Sequence, residues 1–230
     1  MMFTILYIVF AHIFRVGDQI PHFKVYLLTG IVVWSFFSEI TNGGVTAIVE
    51  KGDLLRKINF PKYTLIVAKS ISAGINLTIN FVVILIFMIF SGADPSWSAI
   101  VLVPLLLLEL FILGIAISFI LSALFVRLRD VGYVWEVGMQ ALFYATPLLY
   151  PLNLVVNNFS ATLAKLMLLN PVAQIVQDLR TVMVTSRTLS FEALYGNGMW
   201  RLIPIGITLA LLIIGLLFFK SRASTFAEEV

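Results

Sequence analysis

The sequence predicts an all-α integral membrane protein: six transmembrane helices, the first one truncated, plus an external re-entrant or interfacial amphipathic helix. Three observations predict it. The 230 residues are 60% hydrophobic and only 12% charged, whereas soluble domains run at about a quarter charged. Mean hydropathy is +1.04. The apolar residues also fall in long uninterrupted runs separated by short polar loops, and runs of that length argue for helices over barrel strands.

The first run, Met1–Phe14, has no basic region ahead of it and no small-residue cleavage site after it, so it does not read as a secretory signal. As a helix it reaches only about 21 Å against a hydrocarbon core of roughly 30 Å. It therefore reads as the outer part of a span with a truncated start or a mis-assigned first codon. Five further runs follow at 23–49, 63–91, 99–126, 132–150 and 199–219, in a single transmembrane domain over 1–230 with no internal repeat.

Sidedness comes from the basic residues of the short loops. Lys51, Arg56, Lys57, Lys62, Arg127, Arg129, Lys220 and Arg222 fall on one side, against Arg15 and Lys24 on the other. Residues 50–62, 127–130 and the carboxyl tail are thus expected in the cytoplasm, and the long 151–198 loop outside. The net charge of +3 says little about nucleic acid, because what matters is where the positive charges lie; no nucleic-acid partner is expected. The absence of cysteine removes disulfides, thiol catalysis and thiolate metal sites. With His12 and His22 the only histidines, a zinc site is poorly supplied and no metal is expected.

The cytoplasmic stretch "EKGDLLRKINFPKY" carries more pattern than an anchor needs. Asp53 can cap a short helix in which Leu54, Leu55 and Ile58 share a face beside Arg56 and Lys57. Phe60 and Pro61 close it, and the proline resets the chain for the next span. An apolar helix face exposed to the cytosol invites a docking partner, although a plain positive-inside anchor accounts for the charges alone.

Polar residues recur at helical spacing inside the spans. Ser35, Glu39, Asn42 and Thr46 form one stripe, Lys69, Ser72, Asn76 and Asn80 a second, Tyr133, Glu136, Gln140 and Tyr144 a third. A charge at mid-membrane costs on the order of 2.5–3.5 kcal/mol, so such residues face protein or a water-filled space. They either line a polar pathway or hold helices together by hydrogen bonds. Lys69, close to the cytoplasmic end, is expected to snorkel. Glu109 has no polar companion on its own helix face. Two small-residue stripes, Ser70, Gly74 and Thr78, then Gly114, Ser118 and Ser122, allow close helix approach. Tyr26, Trp34, Phe36, Phe37, Phe143, Tyr144 and Tyr150 suit an interfacial belt or sugar stacking.

In the external loop, "LLNPVAQIVQDLRTVM" places Asn170 to cap a helix and Pro171 at its first position. Val172, Ile175, Val176, Leu179, Val182 and Met183 then share one face, with Gln174, Gln177, Asp178 and Thr181 opposite. The helix is too short and too polar to span, and is expected in the outer interface or dipping back into the protein.

Together, "LLRKINFPKY", "SALFVRLRDVGYVWEVGMQALFYATPLLYP" and "LLNPVAQIVQDLRTVM" resemble the membrane subunit of type-2 ABC exporters, nearest the branch of O-antigen, capsule and teichoic acid permeases. The likeness runs in order over nearly the whole chain. It implies a homodimer of six-helix subunits in a bacterial cytoplasmic membrane, each bound to a cytosolic ATPase, hence two ATPase copies. It implies that Asp53–Phe60 forms a coupling helix seated in the ATPase. It also implies that Asn170, Pro171, Gln174, Asp178 and Arg180 belong to an external gate helix. Family members carry a cytoplasmic amphipathic helix before the first span, with no counterpart in these residues.

The expected function is the multi-pass permease of an ATP-driven exporter of a polysaccharide or lipid-linked glycan, its pathway including Trp34, Glu39, Glu136, Gln140 and Tyr144. The chain has no Gly-Lys dipeptide and so no phosphate-cradling Walker loop. It is expected to bind no cofactor and to be no enzyme, with ATP and magnesium held by the partner. An ion-coupled secondary transporter using Glu39 or Glu136 is the alternative, though the paired broken helices such folds often show are missing. An intramembrane enzyme lacks any nucleophile–base or metal constellation.

Overall fold

A computed structural model describes residues 2–13, 20–53, 60–93, 95–185, 188–223 and 226. Every regular element among them is helical. A short α1 (Met2–Tyr7) continues as a π-helical stretch, Ile8–Ile13. Three long helices follow: α2 (Phe23–Thr46), α3 (Tyr63–Ser91) and α4 (Ala99–Arg127). Next come α5 (Val131–Ala145) and four shorter helices of the connecting region, α6 (Leu152–Asn158), α7 (Ala161–Leu168), α8 (Pro171–Met183) and α9 (Phe191–Tyr195). A single 3₁₀ turn at Gly198–Arg201 leads into α10 (Leu202–Arg222).

Four of these helices are long and apolar enough to cross a membrane: α2, α3, α4 and the 198–222 segment that contains α10. The 29 residues of α3 and of α4 extend about 43 Å at 1.5 Å per residue. The run expected to span 132–150 stops early. Thr146 adopts φ −90°, ψ 134°, the extended geometry imposed on a residue that precedes proline, here Pro147. At 15 residues, α5 measures only about 22 Å.

Local chemistry sets several other ends. At the end of α3, Gly92 is left-handed, φ 64°, a backbone state that costs glycine little. Ser160 Oγ accepts from the Leu163 amide at the start of α7, and Ser190 Oγ accepts from Ala193 at the start of α9. At α8, Asn170 Oδ1 accepts from Val172 N at 3.0 Å with Pro171 in the first turn, as the sequence predicts.

The centre of the fold is α2. Val33, Phe36, Phe37 and Ile40 are buried, and α3, α4, α5 and α8 all pack on this helix. The approach to α4 is close. A Cβ on Gly44 would lie 2.3 Å from Ser118 Cβ, and Ser118 Oγ donates to the Ile40 carbonyl at 2.9 Å. Gly114 lies likewise against Ile40, so the small-residue stripe of α4 brings two backbones together. Along its other side α4 packs against α10.

The two ends of the bundle differ in charge. Lys62 Nζ donates to the Ala223 carbonyl and lies over the Phe226 ring, while Arg127 and Arg222 line one cleft. The starts of α3 and α5 and the ends of α2, α4 and α10 therefore share the Lys/Arg-rich end. At the opposite end the Ser96 amide donates to the Val182 carbonyl of α8 at 3.0 Å.

Candidate transport face and external anchor

The three polar stripes read from the sequence converge on one side of the molecule. Ser35, Glu39 and Asn42 on α2, Ser72, Asn76 and Asn80 on α3, and Tyr133, Glu136, Gln140 and Tyr144 on α5 are all exposed, and Thr46 is half-buried. Helix α2 joins its two neighbours through polar contacts. Asn76 Nδ2 donates to Glu39 Oε1 at 2.5 Å, tying α3 to α2. Trp135 Nε1 donates to Thr41 Oγ1 at 3.3 Å, tying α5 to α2. Asn42 donates to Ser38, and Asn80 to the Asn76 carbonyl. Glu136 and Gln140 reach no partner among the described residues.

The interhelical-bonding and pathway readings thus divide by residue. Glu39 does bond between helices, yet it remains exposed, and Glu136 and Gln140 make no such bond. Exposed carboxylates at the depth of a spanning helix cost a few kcal/mol against lipid, and that cost disfavours a lipid-facing orientation. Trp34 lies half-buried beside this face, its ring 5.5 Å from Phe143 and 5.8 Å from Phe37, and Phe143 meets the exposed Tyr144 at 5.3 Å. Tyr26, Phe36 and Phe37 are core residues, which leaves Trp34, Phe143, Tyr144 and Tyr150 open to sugar stacking, the last donating its hydroxyl to the Tyr144 carbonyl.

Lys69 does not snorkel alone. Its ammonium pairs with Glu50 at 2.8 Å, and Glu50 also accepts from Thr46. The Lys69 hydrogen bond first, and the Thr46 hydroxyl second, hold the Glu50 carboxyl below its usual range.

Of the 50–63 stretch, Leu54, Leu55, Arg56, Lys57 and Ile58 lie outside the described residues. Its flanks are placed. Asp53 and Pro61 are exposed, and Phe60 packs against a cluster that contains Ile48, Ile66 and Phe219.

Helix α8 is more enclosed than its amphipathic pattern suggests. Gln174, Gln177, Asp178 and Arg180 are buried along with the apolar face, because α2, α4, α7, α9 and α10 surround it. Arg180 is fully buried. Its Nε donates to the Tyr26 carbonyl at 3.1 Å, and its two terminal nitrogens donate to the carbonyls of Pro147 and Leu148. Asp178 accepts from Gln174 Nε2 at 2.7 Å and pairs with Arg201 at 2.9 Å. Gln177 donates to the Leu189 carbonyl, and Asn170 Nδ2 to Thr146 Oγ1.

Glu109 gains from the fold the companions it lacks in sequence. It shares a cavity with Gln174, Asp178, Arg201 and Thr208, contributed by α8 and by the start of α10. No feature of the sequence around 109 signals this, since the partners lie 65 or more positions away.

Comparison with known proteins agrees with this architecture. Residues 1–184 match the family model described as ABC-2 type transporter. The chain is 27% identical over 229 residues to the O-antigen export system permease protein RfbA of Myxococcus xanthus, covering 99% of this chain and 84% of that one. It is 26% identical over 227 residues to the protein of the same name from Klebsiella pneumoniae, covering 97% and 81%. With a match extending from the first segment through α8, the chain belongs to the ABC-2 type transporter family.

Proposed function

We propose that this chain is the permease subunit of an ATP-driven exporter that moves a polysaccharide or lipid-linked glycan of the O-antigen class across the bacterial cytoplasmic membrane. The observation that carries the reading is the exposed polar face made by α2, α3 and α5. A second copy of the chain facing it encloses a hydrophilic channel away from lipid, with Glu39, Asn76, Glu136, Gln140 and Tyr144 along its walls. Six segments per copy then count α1 with its π-helical extension and α5 as short or tilted spans, and α8 as a re-entrant helix that enters and leaves on the outer side. The names of the Myxococcus and Klebsiella relatives support the glycan class.

The motor is a separate ATPase, two copies per dimer, gripping the 53–60 segment, and this chain itself holds neither ATP nor magnesium. Closure of the ATPases on ATP pushes that segment, and the long helices relay the push as rigid-body movement. Membership of the ABC-2 family sets aside the ion-coupled alternative built on Glu39 and Glu136. The test is deletion of the gene with glycan analysis of the cell surface, paired with reconstitution alongside its partner ATPase. Surface glycan should disappear while intracellular glycan accumulates, and transport should require ATP. Unchanged surface glycan, or transport without the ATPase, overturns the reading.

A further inference from the structure

At the end of α10 the sequence turns polar, "SRASTFAEEV", and Phe226 is the one aromatic residue in that stretch. A lone aromatic there stays in water unless it docks on another part of the chain. Phe226 docks, and it is fully buried. Its ring centre lies 5.2 Å from that of Phe219 on α10, and Phe219 lies 5.1 Å from Phe119 on α4, both pairs edge to face, a geometry aromatic rings favour. Lys62 fixes the chain beside it. The Lys62 ammonium donates to the Ala223 carbonyl and sits 5.7 Å from the centre of the Phe226 ring, within range of a cation–π attraction.

The cluster that receives Phe226 also receives both roots of the 53–60 segment. Ala47 and Ile48 come before the segment and belong to the cluster, with Val49 packed on it; Phe60 packs on it from the segment's far end, followed by Ile66 of α3. Ile48 and Ile66 are fully buried. Phe60, Pro61, Lys62 and Tyr63 also line an open cavity of about 810 Å³, so this second root is packed over only part of its surface. A push on the segment reaches α4 and α10 only through stiff roots, because close-packed side chains transmit a displacement that loose ones absorb. We propose that Phe226 is a positioning residue for energy coupling, joining both roots of the 53–60 segment to α4 and α10 in one packed unit. The proposal rests on the reading of 53–60 as the segment gripped by the ATPase.

Two measurements on Phe226→Ala separate the packing from its consequence. In the full chain alone, hydrogen–deuterium exchange should quicken about tenfold in peptides covering 45–51 and 60–66, as expected when local packing is lost, and stay unchanged across α8. With the partner ATPase in liposomes, co-purification and ATP hydrolysis should match wild type, while glycan moved per ATP hydrolysed falls about fivefold. A side chain that merely stabilised the fold would lower transport and hydrolysis together and leave that ratio alone. Phe226→Leu, which keeps apolar bulk, should restore most of both effects, and Lys62→Met should reproduce them more weakly. Unchanged exchange at the two roots, a wild-type ratio in Phe226→Ala, or loss of ATPase binding in that variant each overturns the proposal. Failure of the underlying reading shows separately, as wild type that binds no ATPase although exchange at the roots still responds to Phe226→Ala; the coupling role then falls with it.

Discussion

The Arg180 guanidinium lies 3.7 Å from the centre of the Tyr26 ring, and its Nε donates to the carbonyl of that same residue. With the Pro147 and Leu148 carbonyls as its other acceptors, one side chain of α8 fastens the start of α2 to the turn that ends α5. Stripping a fully buried, hydrogen-bonded cation of its geometry is expensive. Arg180→Ala leaves the Pro147 and Leu148 carbonyls without a donor and should destabilise the protein by about 2–5 kcal/mol. Arg180→Lys keeps the charge but lacks the planar fork, and should recover only part of that loss. Thermal unfolding in detergent, followed by helical circular dichroism, measures both.

At Gly44 the spacing between α2 and α4 leaves no room for a methyl group. A Cβ there would meet Ser118 Cβ at 2.3 Å and its Cα at 2.9 Å, and backbone cannot move aside as a flexible side-chain tip can. Gly44→Ala should cost about 1–3 kcal/mol through overpacking. Ser118→Ala removes the hydroxyl's bonds to the Ile40 carbonyl and, within its own helix, to the Gly114 carbonyl and should cost about 1 kcal/mol. The same unfolding assay separates them, and the order should not reverse.

The Glu50–Lys69 pair predicts a modest acid dependence. Hydrogen bonds from Lys69 and then Thr46 hold the Glu50 carboxyl below the ordinary glutamate value of 4.5. A lowered folded-state value means that ionised Glu50 stabilises the fold fully above the ordinary value, and that this contribution disappears as pH falls through the lowered one. Both side chains are over 40% exposed, which limits the effect to about 1 kcal/mol or less. Wild type and Glu50→Gln should therefore differ slightly in melting temperature at neutral pH and coincide in acid.

Leu55→Asp tests the docking segment. The substitution should abolish co-purification with the ATPase while leaving membrane insertion and yield unchanged, since position 55 falls between the apolar runs of α2 and α3 in the sequence. A variant that still brings down the ATPase and supports export removes that segment from the coupling role.

How much was legible in advance follows the range of the interactions. The boundaries of α3, α4 and α8 came from local chemistry: an apolar run ended by Gly92, a run ended before Arg129, and the Asn170–Pro171 cap. The early end of α5 was written in Pro147 yet masked by the apolar residues around it, Leu148, Leu149 and Tyr150. The exposed stripes of α2, α3 and α5 could be read because each repeats within one helix. The Glu109 cluster could not, because Asp178, Arg201 and Thr208 approach only when α8 and α10 pack on α4. Arg180 was visible as a residue of the outer helix, but its acceptors are main-chain carbonyls, which leave no trace in residue identity. The burial of the polar face of α8 likewise depends on five neighbouring helices.

The natural absence of cysteine permits a direct test of the transport face. Single substitutions Asn80→Cys, Glu136→Cys and Gln140→Cys, together with Leu217→Cys on the exposed apolar surface of α10, can be treated with a membrane-impermeant thiol reagent in intact vesicles. The three on α3 and α5 should react, and bound glycan should slow them, whereas the one on α10 should remain unlabelled in lipid. Labelling at 217 with none at 80, 136 and 140 would contradict a hydrophilic passage along α2, α3 and α5.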